Sequence, residues 1–181
     1  MRNNVLLLLV LHVVSLNAQF YDSFDDGDHV ANPKWLGNNS LFTVDPQNKL
    51  RLNAPAGGLA YLYTELVYPD SFVATAELSM EFSPSNTNFT RIYFMANHKD
   101  PALGNSYFIQ AGENGSNDAL HLYKSEWGVI SLLASGTPGT MAGDPSTASL
   151  QIVYKKSGEI TVLADYNFDG SFEDRFSATD N

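Results

Sequence analysis

Residues 71–96 read SFVATAELSMEFSPSNTNFTRIYFMA, and the alternation inside this stretch decides the fold. From Ala74 to Phe82, Ala74, Ala76, Leu78, Met80 and Phe82 fall on one face and Thr75, Glu77, Ser79 and Glu81 on the other. A period of two with one apolar and one polar face predicts a strand covered on one side only. Ser83-Pro84-Ser85-Asn86 interrupts it with turn-forming residues. Alternation resumes from Arg91 to Ala96, with Ile92, Phe94 and Ala96 opposite Arg91, Tyr93 and Met95. The expectation is a pair of long central strands sharing a wet face that carries Glu77, Ser79, Glu81, Arg91 and Tyr93.

Working outward, Leu41–Val44 and Lys49–Leu52 flank Asp45-Pro46-Gln47-Asn48 and predict a hairpin. Phe20–Phe24 and Leu59–Tyr63 read as short strands, and Trp35 as a plug for one end of the core. Tyr107–Ala111 and Ala119–Tyr123 are separated by turn formers from Gly112 to Asp118. Val129–Ala134 continues the series, followed by a Gly-, Pro- and Ser-rich loop over 135–146. Ser149–Tyr154 and Glu159–Ala164 form a hairpin across Lys155-Lys156-Ser157-Gly158, and Phe172–Phe176 is the last predicted strand. No segment carries a 3.6-residue period, and neither an internal repeat nor a domain boundary is visible. Short strands punctuated this often predict an antiparallel sandwich or barrel.

The first 18 of the 181 residues read as a Sec signal peptide. Met1-Arg2-Asn3-Asn4 is a short basic start, Val5–Val14 an apolar run broken only by His12, and Ala18 a small residue at the cleavage site. The run is shorter than the roughly 20 apolar residues a spanning helix needs. The mature chain, 19–181, is therefore expected to be secreted or held at the cell surface, off the membrane once cleaved, and long enough for one domain. There is no cysteine, which removes disulfides, thiolate metal sites and cysteine catalysis, and in an exported protein points to a bacterial source. The net charge of −10 becomes −11 without Arg2, and no basic cluster exists, so nucleic acid and anionic membranes are not expected partners.

Three groups of residues resemble one known family. They are Phe24-Asp25-Asp26-Gly27-Asp28 with Asn32-Pro33-Lys34-Trp35 and Leu52-Asn53-Ala54-Pro55; Phe82-Ser83-Pro84-Ser85 with Asn88 and Arg91-Ile92-Tyr93-Phe94-Met95; and Tyr107-Phe108-Ile109-Gln110-Ala111-Gly112 with Leu120-His121-Leu122-Tyr123. Together they resemble the concanavalin A-like, laminin-G-like jelly roll found at the N-terminus of secreted multidomain bacterial proteins. The resemblance implies an all-β, antiparallel two-sheet jelly-roll sandwich, joined to other modules of the same polypeptide. Domains of that kind close with a further strand, whereas this chain stops in the polar run Ser177–Asn181. A C-terminally truncated sandwich, with an open edge beside Phe20–Phe24, is therefore expected.

Three constellations could carry function. Glu77-Leu78-Ser79-Met80-Glu81 is close to the Glu-x-Asp-x-Glu strand of retaining glucanases of that superfamily, which makes Glu77 and Glu81 the candidate catalytic pair. Retaining chemistry needs carboxyl groups about 5–5.5 Å apart. Strand positions four apart start about 13 Å apart, and Ser79 stands where the middle acid belongs. Asp165-Tyr166-Asn167-Phe168-Asp169-Gly170 has the start of a calcium loop, with Asp165, Asn167 and Asp169 as candidate ligands, but Phe176 occupies the place of the closing Glu. A hairpin turn is the competing reading. Asp22, Asp25, Asp26 and Asp28 form a second acidic group, for which calcium or a solvated turn are the alternatives. Apart from such a structural calcium, no cofactor is expected.

The third constellation is a binding face. Sugars are held by aromatic rings and by planar polar groups. Arg91, Tyr93, Gln110, His121 and Tyr123 alternate away from the expected core residues Ile92, Phe94, Leu120 and Leu122, and Trp127 sits in a turn where its ring can be exposed. Some of these aromatics could instead fill the core. His29, His98 and His121 lack metal-ligand spacing, and no Gly-x-Ser-x-Gly, phosphate-loop or dinucleotide motif occurs. The expected role is non-catalytic recognition of a glycan or cell-surface polymer, or spacing of neighbouring modules, with a β-glucanase-like hydrolase as the alternative.

Overall fold

The computed structural model describes residues 20–100 and 102–180; the leader predicted over 1–18 lies outside them. The chain groups into two compact units, meeting at Leu66 and Val67. No boundary was visible there because Leu66-Val67-Tyr68-Pro69-Asp70 has none of the Gly/Ser composition that marks a linker.

The first unit holds two small antiparallel pairs. Strands β1 (Leu36–Gly37) and β4 (Leu62–Tyr63) pair with each other. Strands β2 (Phe42–Val44) and β3 (Leu50–Leu52) form the hairpin expected around Asp45-Pro46-Gln47-Asn48. Asp45 closes that turn by accepting the N–H groups of Gln47 and Lys49. Residues 20–24, expected as a strand, form none. Asp22 Oδ1 accepts the Phe24 N–H at 2.8 Å and Oδ2 accepts Trp35 Nε1–H at 2.6 Å, while Phe24 turns to φ 55°. A carboxylate that satisfies neighbouring donors locally competes with strand pairing. The open edge expected beside these residues therefore does not arise.

The second unit is a two-sheet antiparallel β-sandwich. The front sheet runs β6 (Thr90–Ala96), β7 (Asn105–Ala111), β8 (Leu120–Glu126) and β9 (Val129–Ser135), each paired to the next in sequence. The back sheet is ordered β12 (Asp174–Thr179), β11 (Glu159–Asp165), β10 (Ser146–Tyr154) and β5 (Phe72–Met80). The opening stretch thus supplies two strands as expected, but not a pair. β5 borders the back sheet beside β10, and β6 borders the front sheet beside β7. Neither is central, and they share no wet face. Alternation fixes which face of a strand is buried but says nothing of its neighbour, and the polar loop between them spans from one sheet to the other.

Between the sheets the inner faces interdigitate. Phe94, Ile109, Ala111, Leu120 and Leu122 of the front sheet meet Met80, Ala148, Leu150, Ile152, Ile160, Val162, Ala164 and Phe176 of the back sheet. On β5, Ala74, Ala76 and Leu78 lie opposite Ile152, Leu150 and Ala148 of β10, while Thr75, Glu77 and Ser79 face outward, as the alternation required. The 136–145 loop joins the sheets by inserting Met141, which is fully buried, with its N–H bonded to Asp118 O. Burial of one such side chain stabilises the fold by roughly 1.5–3 kcal/mol. Ser177–Thr179, read as a polar tail, instead extend β12, where Phe176 and Ala178 face inward between exposed Arg175, Ser177 and Thr179.

Candidate functional site

The three constellations end in different places. Glu77 is exposed on the outer face of β5, paired in register with Ser149 of β10. Glu81 is exposed just past the last residue of that strand. Neither carboxylate has a hydrogen-bond or ion-pair partner among the described residues. Four residues of extended chain span about 13 Å, against the roughly 5–5.5 Å between carboxyl groups that retaining hydrolysis demands.

The acidic stretch after β11 forms an eight-residue loop that connects it to β12, longer than the tight turn considered above. Asp165 is buried and its carboxylate accepts the N–H groups of Asn167, Phe168 and Gly170 at 2.7–3.0 Å. The oxygens that approach one another belong to Asp165, Asp169 and Glu173. Asn167, the other candidate ligand, donates through Nδ2 to Glu173 Oε1 at 2.7 Å. Burial alone would raise the pKa of Asp165, but its backbone N–H donors outweigh that and hold it below the usual carboxylate value. A depressed carboxylate contributes stability that is present above its unfolded pKa and is lost as pH falls through the folded one. The urea midpoint of Asp165→Asn should therefore fall below that of the wild type at about pH 6, and the gap should narrow as pH falls below the ordinary carboxylate range. Equal midpoints at about pH 6 would mean that the turn does not depend on the charge. In the first unit, Asp22, Asp26 and Asp28 likewise spend oxygens on neighbouring N–H groups.

The outer face of the front sheet gathers five of the six expected binding residues. Strand register places them in two rows. Arg91, Gln110, His121 and Ser135 lie side by side across β6, β7, β8 and β9, and Tyr93, Phe108, Tyr123 and Leu132 form the neighbouring row. The first row is polar and linked. Arg91 Nε donates to Gln110 Oε1 at 2.8 Å, and Arg91 Nη1 to Tyr93 Oη at 3.3 Å. Gln110 Nε2 donates to Gly112 O, and His121 Nδ1 lies 2.9 Å from Ser135 Oγ. His121 Nε2 comes within 3.0 Å of Glu113 Oε2, without the alignment of a hydrogen bond.

The second row is aromatic. The rings of Tyr93 and Phe108 are 4.7 Å apart, those of Phe108 and Tyr123 5.4 Å. Phe108 is fully buried between its neighbours, Tyr93 and Tyr123 are half-buried, and Leu132 is exposed. The Arg91 guanidinium lies over the rings of Phe108 and Phe89, 4.8 Å from each centroid. Burial, then the charge of Glu113, pushes the Tyr123 hydroxyl pKa up against the opposing pull of Arg91. Tyr123 is thus a neutral donor at ordinary pH.

Trp127 is not brought to this face. It occupies the β8–β9 turn at φ 52°, 72% exposed and about 20 Å along the strand from His121. Phe108 and Glu113 join the site without having been expected there. Phe108 was legible, since it alternates with Gln110 on β7; Glu113 was not, because it reaches His121 from a turn. Comparison with family models, curated proteins and solved structures finds no match for this chain.

Proposed function

We propose that the sandwich is a non-catalytic recognition module that binds a glycan on the outer face of its front sheet. The observation that supports this most is the pairing of a polar row, Arg91-Gln110-His121, with an aromatic row, Tyr93-Phe108-Tyr123, in adjacent register. A sugar ring offers an apolar face for aromatic contact and hydroxyls in its plane for amide and guanidinium groups. The likeness to concanavalin A-like domains of exported proteins belongs to the same proposal, but a fold of this kind hosts many functions, and the two rows of side chains support this one.

The test is binding of the whole chain to a broad array of bacterial, plant and animal glycans. Wild type should bind at least one class, and Tyr93→Ala with Tyr123→Ala should weaken that binding by about tenfold or more, as loss of two contact rings implies. The hydrolase alternative stands on Glu77 and Glu81 alone. It predicts release of reducing ends from β-glucans, abolished by Glu77→Gln, and such release would replace the recognition reading.

A further inference from the structure

Arg91 differs from the other basic side chains of the molecule. Lys124 is paired with Asp180 and Glu126, Lys155 with Glu159, Lys156 with Asp70, and Arg51 with Asp45. Lys34, Lys49, Lys99 and Arg175 have no such partner among the described residues, but they are exposed and solvated. Arg91 is half-buried and also lacks a carboxylate within 4.0 Å among the described residues, in a chain with 20 acidic residues. A partly desolvated cation without a counter-ion is costly unless something else compensates it. Phe89 and Phe108 do so in part through their ring faces.

The guanidinium is also held in place. Gln110 takes Nε–H and Tyr93 takes one Nη1–H, so both atoms that fix its plane are engaged. An arginine carries five N–H donors in a planar fork. Both Nη2 hydrogens and the second Nη1 hydrogen have no protein acceptor among the described residues. A fixed fork of unspent donors matches the two oxygens of a carboxylate.

Resting on the glycan reading above, we infer that this face selects an acidic sugar, with Arg91 taking the carboxylate of a uronic acid residue through Nη1 and Nη2. The aromatic row then supplies contact for the ring that bears it. Glu113 works against this selection. It is a partly exposed carboxylate against His121, and its field, like that of Arg91, reaches Tyr123. Its removal should strengthen the grip.

The experiment measures binding of the whole chain to polygalacturonate and to alginate, each against its carboxyl-reduced, neutral counterpart. Wild type should prefer at least one acidic polymer by about tenfold or more, the scale of one charge-assisted pair. Arg91→Gln should bring that preference close to one, with binding to the acidic polymer falling much further than binding to the reduced one. Arg91→Lys, which keeps the charge but loses the fork, should restore only part of it. Glu113→Gln should widen the preference. Circular dichroism and the melting temperature of each variant show whether a loss comes from misfolding, and in that event the preference of Arg91→Lys and Glu113→Gln decides. Equal binding to acidic and reduced polymers, or binding only to neutral glycans on the array, overturns the acidic-sugar inference and leaves glycan recognition standing. Binding to no glycan at all removes both.

Discussion

Phe108→Ala is expected to destabilise the sandwich by about 3–5 kcal/mol, the usual cost of emptying a fully buried phenylalanine site. For a unit of this size that lowers the melting temperature by roughly 10–20 °C. The loss arises away from the inter-sheet core. Phe108 sits on the outer face of the front sheet, where its ring is packed between Tyr93 and Tyr123 and under Arg91. Trp127→Ala should by contrast change stability by no more than about 0.5 kcal/mol, because its larger ring is 72% exposed in a turn. Thermal or urea unfolding of the two variants, side by side, checks this. Similar stabilities for both would mean that the outer aromatic row is not packed as described.

Gly112→Ala is the second large effect. Gly112 follows β7 at φ 113°, a region that residues with a Cβ rarely occupy. An added Cβ would stand 2.7 Å from Ser85 O, 2.8 Å from Phe89 Cβ and 3.1 Å from Phe89 Cα. Strained backbone and overpacking each cost about 1–3 kcal/mol. A combined loss of about 2–6 kcal/mol is therefore expected. The displaced segment carries Phe89, one of the two rings under the Arg91 guanidinium, and Gly112 O is the acceptor for Gln110 Nε2. Glycan binding should therefore fall in this variant even at temperatures where it remains folded. Full retention of binding in the folded variant would show that Phe89 and Gln110 do not position Arg91.

These residues also show what the chain made legible. Alternation assigned the faces of β5, β7, β8 and β6 as far as Phe94, because the side-chain period of two transmits the buried side directly. The bulge after Tyr93 then packs Met95 against the core and leaves Ala96, expected inside, exposed. Arg91, Gln110 and His121 were accordingly expected on one face, and register has made them one row. Which strands lie side by side is a non-local property. The long stretch from Ser71 to Ala96 was expected to form a pair of central strands and is instead a crossing between sheets. The absence of a strand at Phe20–Phe24 turned on Asp22 bonding to Phe24 and Trp35, a side-chain competition that apolar patterning cannot register. The acidic loop after β11 was recognised as turn or ligand set, but its third carboxylate, Glu173, came from beyond the motif. Glu113 was invisible for a similar reason, since a turn residue has no face until the turn is built.

Hydrogen exchange of the whole chain, with and without a saturating glycan from the array, locates the binding face most directly. Protection should concentrate in Thr90–Ala96, Asn105–Ala111 and Leu120–Glu126, the strands that carry Arg91, Gln110 and His121. Protection confined to Phe72–Met80, the strand that carries Glu77, or a bound glycan that protects none of these strands, would contradict it.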